Sequence, residues 1–418
     1  MALIIGASTT SAGVAYALAS ADRFYLPKGE VAASTVSVGI YSAAIGNVLT
    51  IAGEVVGFED GIGLGGTVTE TGRHVVTVLE GGVVLGGDDA IQLLGFGSTV
   101  FNQGTIQGRY GINIVATGVG EGTSITNTGS IIAQNTALLL DGTKNVIVNM
   151  GLIKGSTAIY GQNISIEVVT NSGTIIGNVL LNSGADSYDG RGGTVIGTIF
   201  GGYGADRFIA GASQETFDGE QDTDTLDFSK SATGVRLALD SSFANTGTAA
   251  GDTYTNIENA FGSIVGNDSL RGTELANLFR GFGGADRLDG AAGNDILVGG
   301  LGIDTLIGGV GNDSFVFERK TDVGDKIYDF SNSSGNNDAI RIDASGFGAG
   351  LVAGTVLAAS QFQIRADNLA QDANDRFIFR TTDKTLWFDA NGTGTGGLLM
   401  VADLQSTAAL THLDILLV

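Results

Sequence analysis

Four aspartates, Asp286, Asp295, Asp304 and Asp313, recur nine residues apart, each sixth in a Gly-rich unit: GFGGADRLD, GAAGNDILV, GGLGIDTLI and GGVGNDSFV. A carboxylate is a hard oxygen donor, and Ca²⁺ takes six to eight such ligands with tolerant geometry. Glycine turns add to the supply, because they let carbonyls point inward at dihedrals other residues avoid. One Asp and several free carbonyls per turn is therefore a chemistry for several Ca²⁺ ions. Without a cation, the same Asp rows would face one another at close range and repel.

Such residues need a scaffold that repeats with them. Leu288, Leu297, Leu306 and Phe315 keep the register of the aspartates, so small, acidic and apolar residues each recur on their own row. A nonapeptide period of this kind is the signature of a coil that stacks on itself, a Ca²⁺-binding parallel β-roll. The units GGYGADRFI, AGASQETFD and GEQDTDTLD (201–227) already follow it. Asp206 and Asp224 lie 18 residues apart, one full turn, while Glu215 stands where the middle unit would carry Asp. Residues 228–262 interrupt the period, and SIVGNDSLR with Asp268 and GTELANLFR with Asn277 then lead into the main run.

A second period lies upstream. Gly82, Gly104, Gly129, Gly151 and Gly173 are spaced by 22, 25, 22 and 22 residues, each beside a short apolar strand, with a second apolar segment about eight residues later. Strands this short cannot bury their own faces, so stacked neighbours must supply the core. Asn102, Asn127, Asn149 and Asn171 hold one position per coil, which predicts an internal ladder of amides; a ligand track is the functional alternative. The expected fold is all-β, a right-handed parallel β-solenoid continuing into a β-roll. Its parts are an N-terminal cap or assembly segment (1–35), 22-residue coils (36–200), a first roll block (201–227), the interruption (228–262), a main block (263–316) and a C-terminal region (317–418).

Composition narrows the function. With 68 Gly, 1 Pro and 43% hydrophobic residues, the chain reads as short strands and tight turns and is too apolar for disorder. A net charge of −23 repels nucleic acid and anionic lipid and suits divalent cations. No Cys is present to staple the fold. No apolar run is long enough to span a bilayer. The N-terminal MALIIGASTTSAGVAYALASA lacks a basic residue before its apolar stretch and is read as retained sequence. Histidine is limited to His74 and His412, and there is no HExxH, GxSxG, Cys nucleophile or Walker-type loop. Arg109, Tyr110, Lys144, Lys154 and Tyr160 are available to a lyase- or epimerase-type site but are scattered.

Taken together, residues 181–418 resemble the RTX family exported by type I secretion from Gram-negative bacteria. YTNIENAFGSIVGNDSLRG resembles the lead into an RTX block, DKIYDFSNSSGNNDAIRID the stretch after one, and the tail ending DILLV the uncleaved secretion region. The resemblance implies ions held between turns one coil apart by two side chains and several carbonyls. The implied pairs are Asp206 with Asp224, Asp268 with Asp286, Asp286 with Asp304, Asp295 with Asp313, and the weaker Asn277 with Asp295. Of Asp325, Asp329, Asp338 and Asp343, one or two complete the last site, Asp329 and Asp338 foremost, or all are surface carboxylates. Asp389-Ala390-Asn391-Gly392 faintly resembles a calcium loop. The upstream coils are similar to the solenoids of bacterial surface adhesins. The implied protein is secreted, structural and self-associating at the cell surface. Its expected partners are its own copies, the type I export machinery and surface polysaccharide; a glycan-binding role would use the longer turns near Gly118 to Gly122.

Overall fold

The computed structural model describes residues 3–65, 72–116, 120–162 and 165–418, so Gly118 lies outside the described residues. The chain is all-β, with one four-residue α-helix, Ala344–Phe347, among the described residues. It divides into two units. The first runs to Asp224 and adds Asp252–Ile257; the second comprises Thr225–Gly251 and Glu258–Val418.

In the first unit each upstream coil sends one strand to one parallel sheet and two to another, as Val48–Ile51 goes to the first and Glu54–Gly57 and Ile62–Leu64 to the second. Leu3–Ile5 pairs with Arg23–Leu26, which pairs with Val48–Ile51, and the stacking continues coil by coil to Arg207–Ile209. The opposite sheet stacks Val31–Ser34, Glu54–Gly57, Val83–Gly86 and Thr105–Gly108 in the same way. Alternation along each strand sends every second residue inward. Phe24, Leu49, Val76, Val100, Ile125 and Ile147 therefore form one unbroken buried column, register partner on register partner. Residues 3–17 belong to this pattern. Thr9–Ser11 pairs with Val31–Ser34 and Tyr16–Ala17 with Ile40–Ser42, so they build a coil like those that follow.

The asparagine ladder forms as the spacing predicts. Asn102 Nδ2 donates to Asn127 Oδ1 at 2.7 Å, Asn127 to Asn149 at 2.8 Å and Asn149 to Asn171 at 2.8 Å. All four are buried, and a buried amide is stable only when its partners are present. Leu26, Ile51 and Val78 hold the same column in earlier coils, so the ladder replaces an apolar column partway along the sheet. Matching residues lie 22 apart at Asn127–Asn149, then 19 at Glu167–Asp186 and 18 at Asp206–Asp224. The nonapeptide turn is thus a shortened version of the upstream coil.

In the second unit, alternate nonapeptides feed opposite sheets. Leu270, Leu288 and Leu306 stack in one sheet, Phe279, Leu297 and Phe315 in the other, all buried. The apolar row of the sequence is therefore two rows facing one another. Residues 228–262 lack the nonapeptide period yet contribute strands. Arg236–Ala238 pairs with Ser269–Arg271, and Asn259–Phe261 pairs with Thr225–Asp227 and Leu278–Gly283. Beyond the last repeat, Asp325–Ile327 and Ala339–Ile342 extend the two sheets, and Ile415–Leu417 adds to the second.

Candidate metal sites

Each Gly-rich turn ends at its aspartate, whose side chain tucks under the corner before a short strand. Oδ1 accepts the main-chain N–H of the matching residue one coil earlier. Asp286 N–H donates to Asp304 Oδ1 at 2.8 Å, Asp295 N–H to Asp313 at 2.8 Å, Asp268 N–H to Asp286 at 2.7 Å and Asn277 N–H to Asp295 at 2.7 Å. In the first unit Asp206 N–H donates to Asp224 at 2.8 Å. All five expected pairs are therefore brought together, one coil apart, with the later carboxylate under the earlier corner.

That bond uses one oxygen of each carboxylate. The other, Oδ2 of Asp206, Asp286, Asp295, Asp304 and Asp313, is buried and has no hydrogen-bond partner. A buried polar atom left so costs about 1–3 kcal/mol, more for a charged group. The oxygen faces the first glycine of its own turn. A Cβ on Gly281 would lie 2.2 Å from Asp286 Oδ2 and 2.6 Å from the Gly299 carbonyl oxygen one coil later. Gly290 repeats this with Asp295 and Gly308, and Gly201 with Asp206 and Gly219. Only glycine leaves room for a carboxylate and a carbonyl oxygen to converge there. The glycine at the fourth position of the unit shapes the backbone instead. Gly302, at φ +135°, sits over the carbonyl of Gly284 in a conformation side chains disfavour.

Burial raises these carboxyls first, and neighbouring carboxylates raise them further. Asp286 and Asp295 are pushed up to about 7, Asp206 and Asp268 to about 6, and Asp304 and Asp313 upward. Each site thus asks for a positive charge. Among the described residues no point gathers three Asp, Glu, His or Cys side chains, so an ion here draws most of its shell from main-chain carbonyls. Carboxylate plus carbonyl oxygen, with no nitrogen donor, is the donor set of a hard cation such as Ca²⁺.

The row ends are satisfied internally. Asp268 Oδ2 accepts from Ser263 N–H, and Asp338, which takes the Asp313 N–H at 3.0 Å, gives its other oxygen to Ser331 N–H. Asn277 donates from Nδ2 to the Glu258 carbonyl, so its amide supplies what a cation supplies elsewhere. Asp329 lies outside both rows; it accepts from Gly308 and Gly309 N–H at 2.9 and 2.7 Å. Asp325 extends the Asp304 row instead, accepting the Asp304 N–H at 3.0 Å, and is pushed up to about 8. Asp343 caps the short helix. Asp389 closes a local turn onto Asn391 N–H. Glu215 is buried and its N–H donates to Asp252 Oδ1 at 2.9 Å, a partner hidden from sequence by a separation of 37 positions.

The residues considered for carbohydrate chemistry do not converge. Arg109 pairs with Asp88, Lys154 and Tyr160 stand in separate columns of one sheet, and Lys144 belongs to the other. His74 is buried, its Nδ1 accepting from Asn47 N–H.

The sequence profile of the RTX calcium-binding nonapeptide repeat matches residues 191–226, 265–297 and 290–319, in four copies. These stretches are RTX repeats. They contain Asp206, Asp224 and the whole Asp268–Asp313 series, and RTX repeats of this kind bind Ca²⁺. No curated protein matches this RTX-repeat chain. Among solved structures it is similar to the AlgE6R3 subunit of the Azotobacter vinelandii mannuronan C5-epimerase. That similarity has 31% identity over 36% of this chain and 77% of that one, with a TM-score of 0.25.

Proposed function

We propose that this RTX-repeat chain is a secreted structural protein that folds on binding Ca²⁺ and self-associates at a bacterial cell surface. The observation that carries the reading is the run of buried, unpartnered carboxylate oxygens at Asp286, Asp295, Asp304 and Asp313. A fold that buries such groups is incomplete without cations, so metal-binding energy becomes folding energy. Extracellular calcium modules bind at about 10⁻⁴–10⁻³ M, far above the calcium of cytosol. The second unit then stays open inside the cell, in a form a narrow type I export channel accepts, and closes outside.

Self-association draws support from large apolar side chains that the core does not use. Ile303, Val310 and Val265 are 61%, 67% and 71% exposed in the second unit, and Leu3, Ile5 and Phe58 are similarly exposed in the first. The surface is otherwise strongly acidic, and Ca²⁺ would screen it as well as fill the turns. Purified full-length protein in millimolar Ca²⁺ is expected to form sheets or filaments in electron micrographs. Monodisperse monomer by light scattering across a concentration series overturns the assembly reading and leaves the calcium-dependent fold standing.

A further inference from the structure

The corner position filled by Asp206 and Asp224 exists throughout the first unit. In two upstream coils it is occupied by amides, which carry their own donor. Asn47 Oδ1 accepts the Asp22 N–H at 3.1 Å while its Nδ2 donates to Ser42 Oγ and the Ala44 carbonyl. Asn145 Oδ1 accepts the Thr123 N–H at 3.1 Å, and its Nδ2 donates to Glu167 Oε1 at 3.0 Å. In such coils the amide NH₂ fills the space that an ion fills in the nonapeptides.

The change from amide to acid comes before the repeats begin. Glu167 is fully buried; Ser165 Oγ and Asn145 Nδ2 satisfy its Oε1, and Oε2 has no partner. Its N–H donates to Asp186 Oδ1 at 2.6 Å, and the buried Oδ2 of Asp186 is also without a partner. The backbone around them repeats the cradle of the RTX turns. Tyr160 is in register with Leu180, and Leu180 with Phe200, so Gly161, Leu181 and Gly201 stack. A Cβ on Gly161 would lie 2.6 Å from Glu167 Oε2 and 2.5 Å from the Leu181 carbonyl oxygen, much as one on Gly201 meets Asp206 and Gly219. Across the corner, the Ser165 carbonyl and Asp186 Oδ1 converge on Gly184. The matched repeat starts only at residue 191, and neither acid lies in it.

We propose that Glu167 and Asp186 hold a further Ca²⁺ ion, upstream of the first nonapeptide, with the Leu181 carbonyl oxygen beside Glu167. Two carboxylates balance a divalent charge, and the carbonyl adds a hard ligand of the kind calcium accepts. Calcium dependence then reaches one coil into the 22-residue region, and the last amide corner, Asn145, marks where it stops. Ion binding at this corner requires no self-assembly.

The test counts ions on the full chain. Native mass spectrometry in saturating Ca²⁺ is expected to find one ion fewer in Glu167→Gln/Asp186→Asn than in the wild type. The amides chosen already serve this corner at Asn47 and Asn145, so the coil is expected to fold and strand Ile166–Asn171 to resist hydrogen exchange without calcium. An unchanged ion count in the folded double variant overturns the proposal. Should that variant not fold, Asp206→Asn/Asp224→Asn removes the neighbouring repeat site instead. Calcium must then still slow exchange at Ile166–Asn171, and no effect there overturns the proposal equally.

Discussion

Removing calcium should make this protein prefer acid. In the metal-free state Asp325 is raised from 3.8 to about 8, and Asp286 and Asp295 to about 7, by burial and by neighbouring carboxylates. The folded chain therefore holds these protons more tightly than the unfolded chain. That contribution is complete near pH 4 and disappears as pH rises through the folded values, about 7 to 8. A rise of about four pH units at Asp325 is ~5 kcal/mol at 1.36 kcal/mol per unit, and about half of that after solvent screening. Treated alike, Asp286 and Asp295 lose ~2 kcal/mol each, so the three reach about 7 kcal/mol, which is comparable to the whole stability of many domains. Calcium reverses the loss. At about one hundred times its dissociation constant, each site returns about 2.7 kcal/mol. Circular dichroism, with hydrogen exchange read at Leu278–Gly283 and Ile296–Leu301, distinguishes the states. Protein in EDTA at pH 8 should lose its sheet signal over residues 201–418, whereas EDTA at pH 5 and Ca²⁺ at pH 8 should each retain it. An unchanged spectrum in EDTA at pH 8, or metal-free stability that rises with pH, refutes the reasoning.

Three further substitutions separate the calcium sites from the metal-independent core. Gly281→Ala sets a methyl 2.2 Å from Asp286 Oδ2, and should lower both calcium affinity and calcium-dependent melting temperature, by ~2–3 kcal/mol if the carboxylate must move; Gly13→Ala, with nothing nearer than 3.8 Å, should leave both unchanged in calorimetry. Asn127→Ala removes one ladder bond on each side and leaves buried partners unsatisfied, so it should cost about 2–4 kcal/mol in thermal unfolding, equally with Ca²⁺ or EDTA.

The sequence was most informative where one residue type recurs at a constant interval. The Asn102–Asn171 ladder and the Asp268–Asp313 rows were both legible, because equal spacing on a stacked coil puts side chains in contact. Legibility failed where coil length changes. Asp325 and Asp338 join their rows after 21 and 25 residues, so neither keeps the period, and Asp329, which seemed as well placed, turns back to cap Gly308 and Gly309. Glu167 and Asp186 were invisible for the same reason: the coil there measures 19 residues, and a longer acid takes the first position. Residues 228–262 read as an interruption because they lose the turn motif, yet a strand needs only inward alternation to stack, and Leu237 and Ala260 provide it.

The amide ladder also has a direction. Every rung donates toward the C-terminal side, from Asn102 through Asn171 and on to Tyr188 Oη at 3.4 Å. Main-chain carbonyls of Ser130 and Leu152 hold two of the NH₂ groups in that sense, so no amide can flip alone without setting oxygen against oxygen. The dipoles add head to tail, and each bond polarises the next. The column is thus a one-way lattice whose rungs reorient together or not at all. A coil inserted into it is accepted only if its amide points the same way.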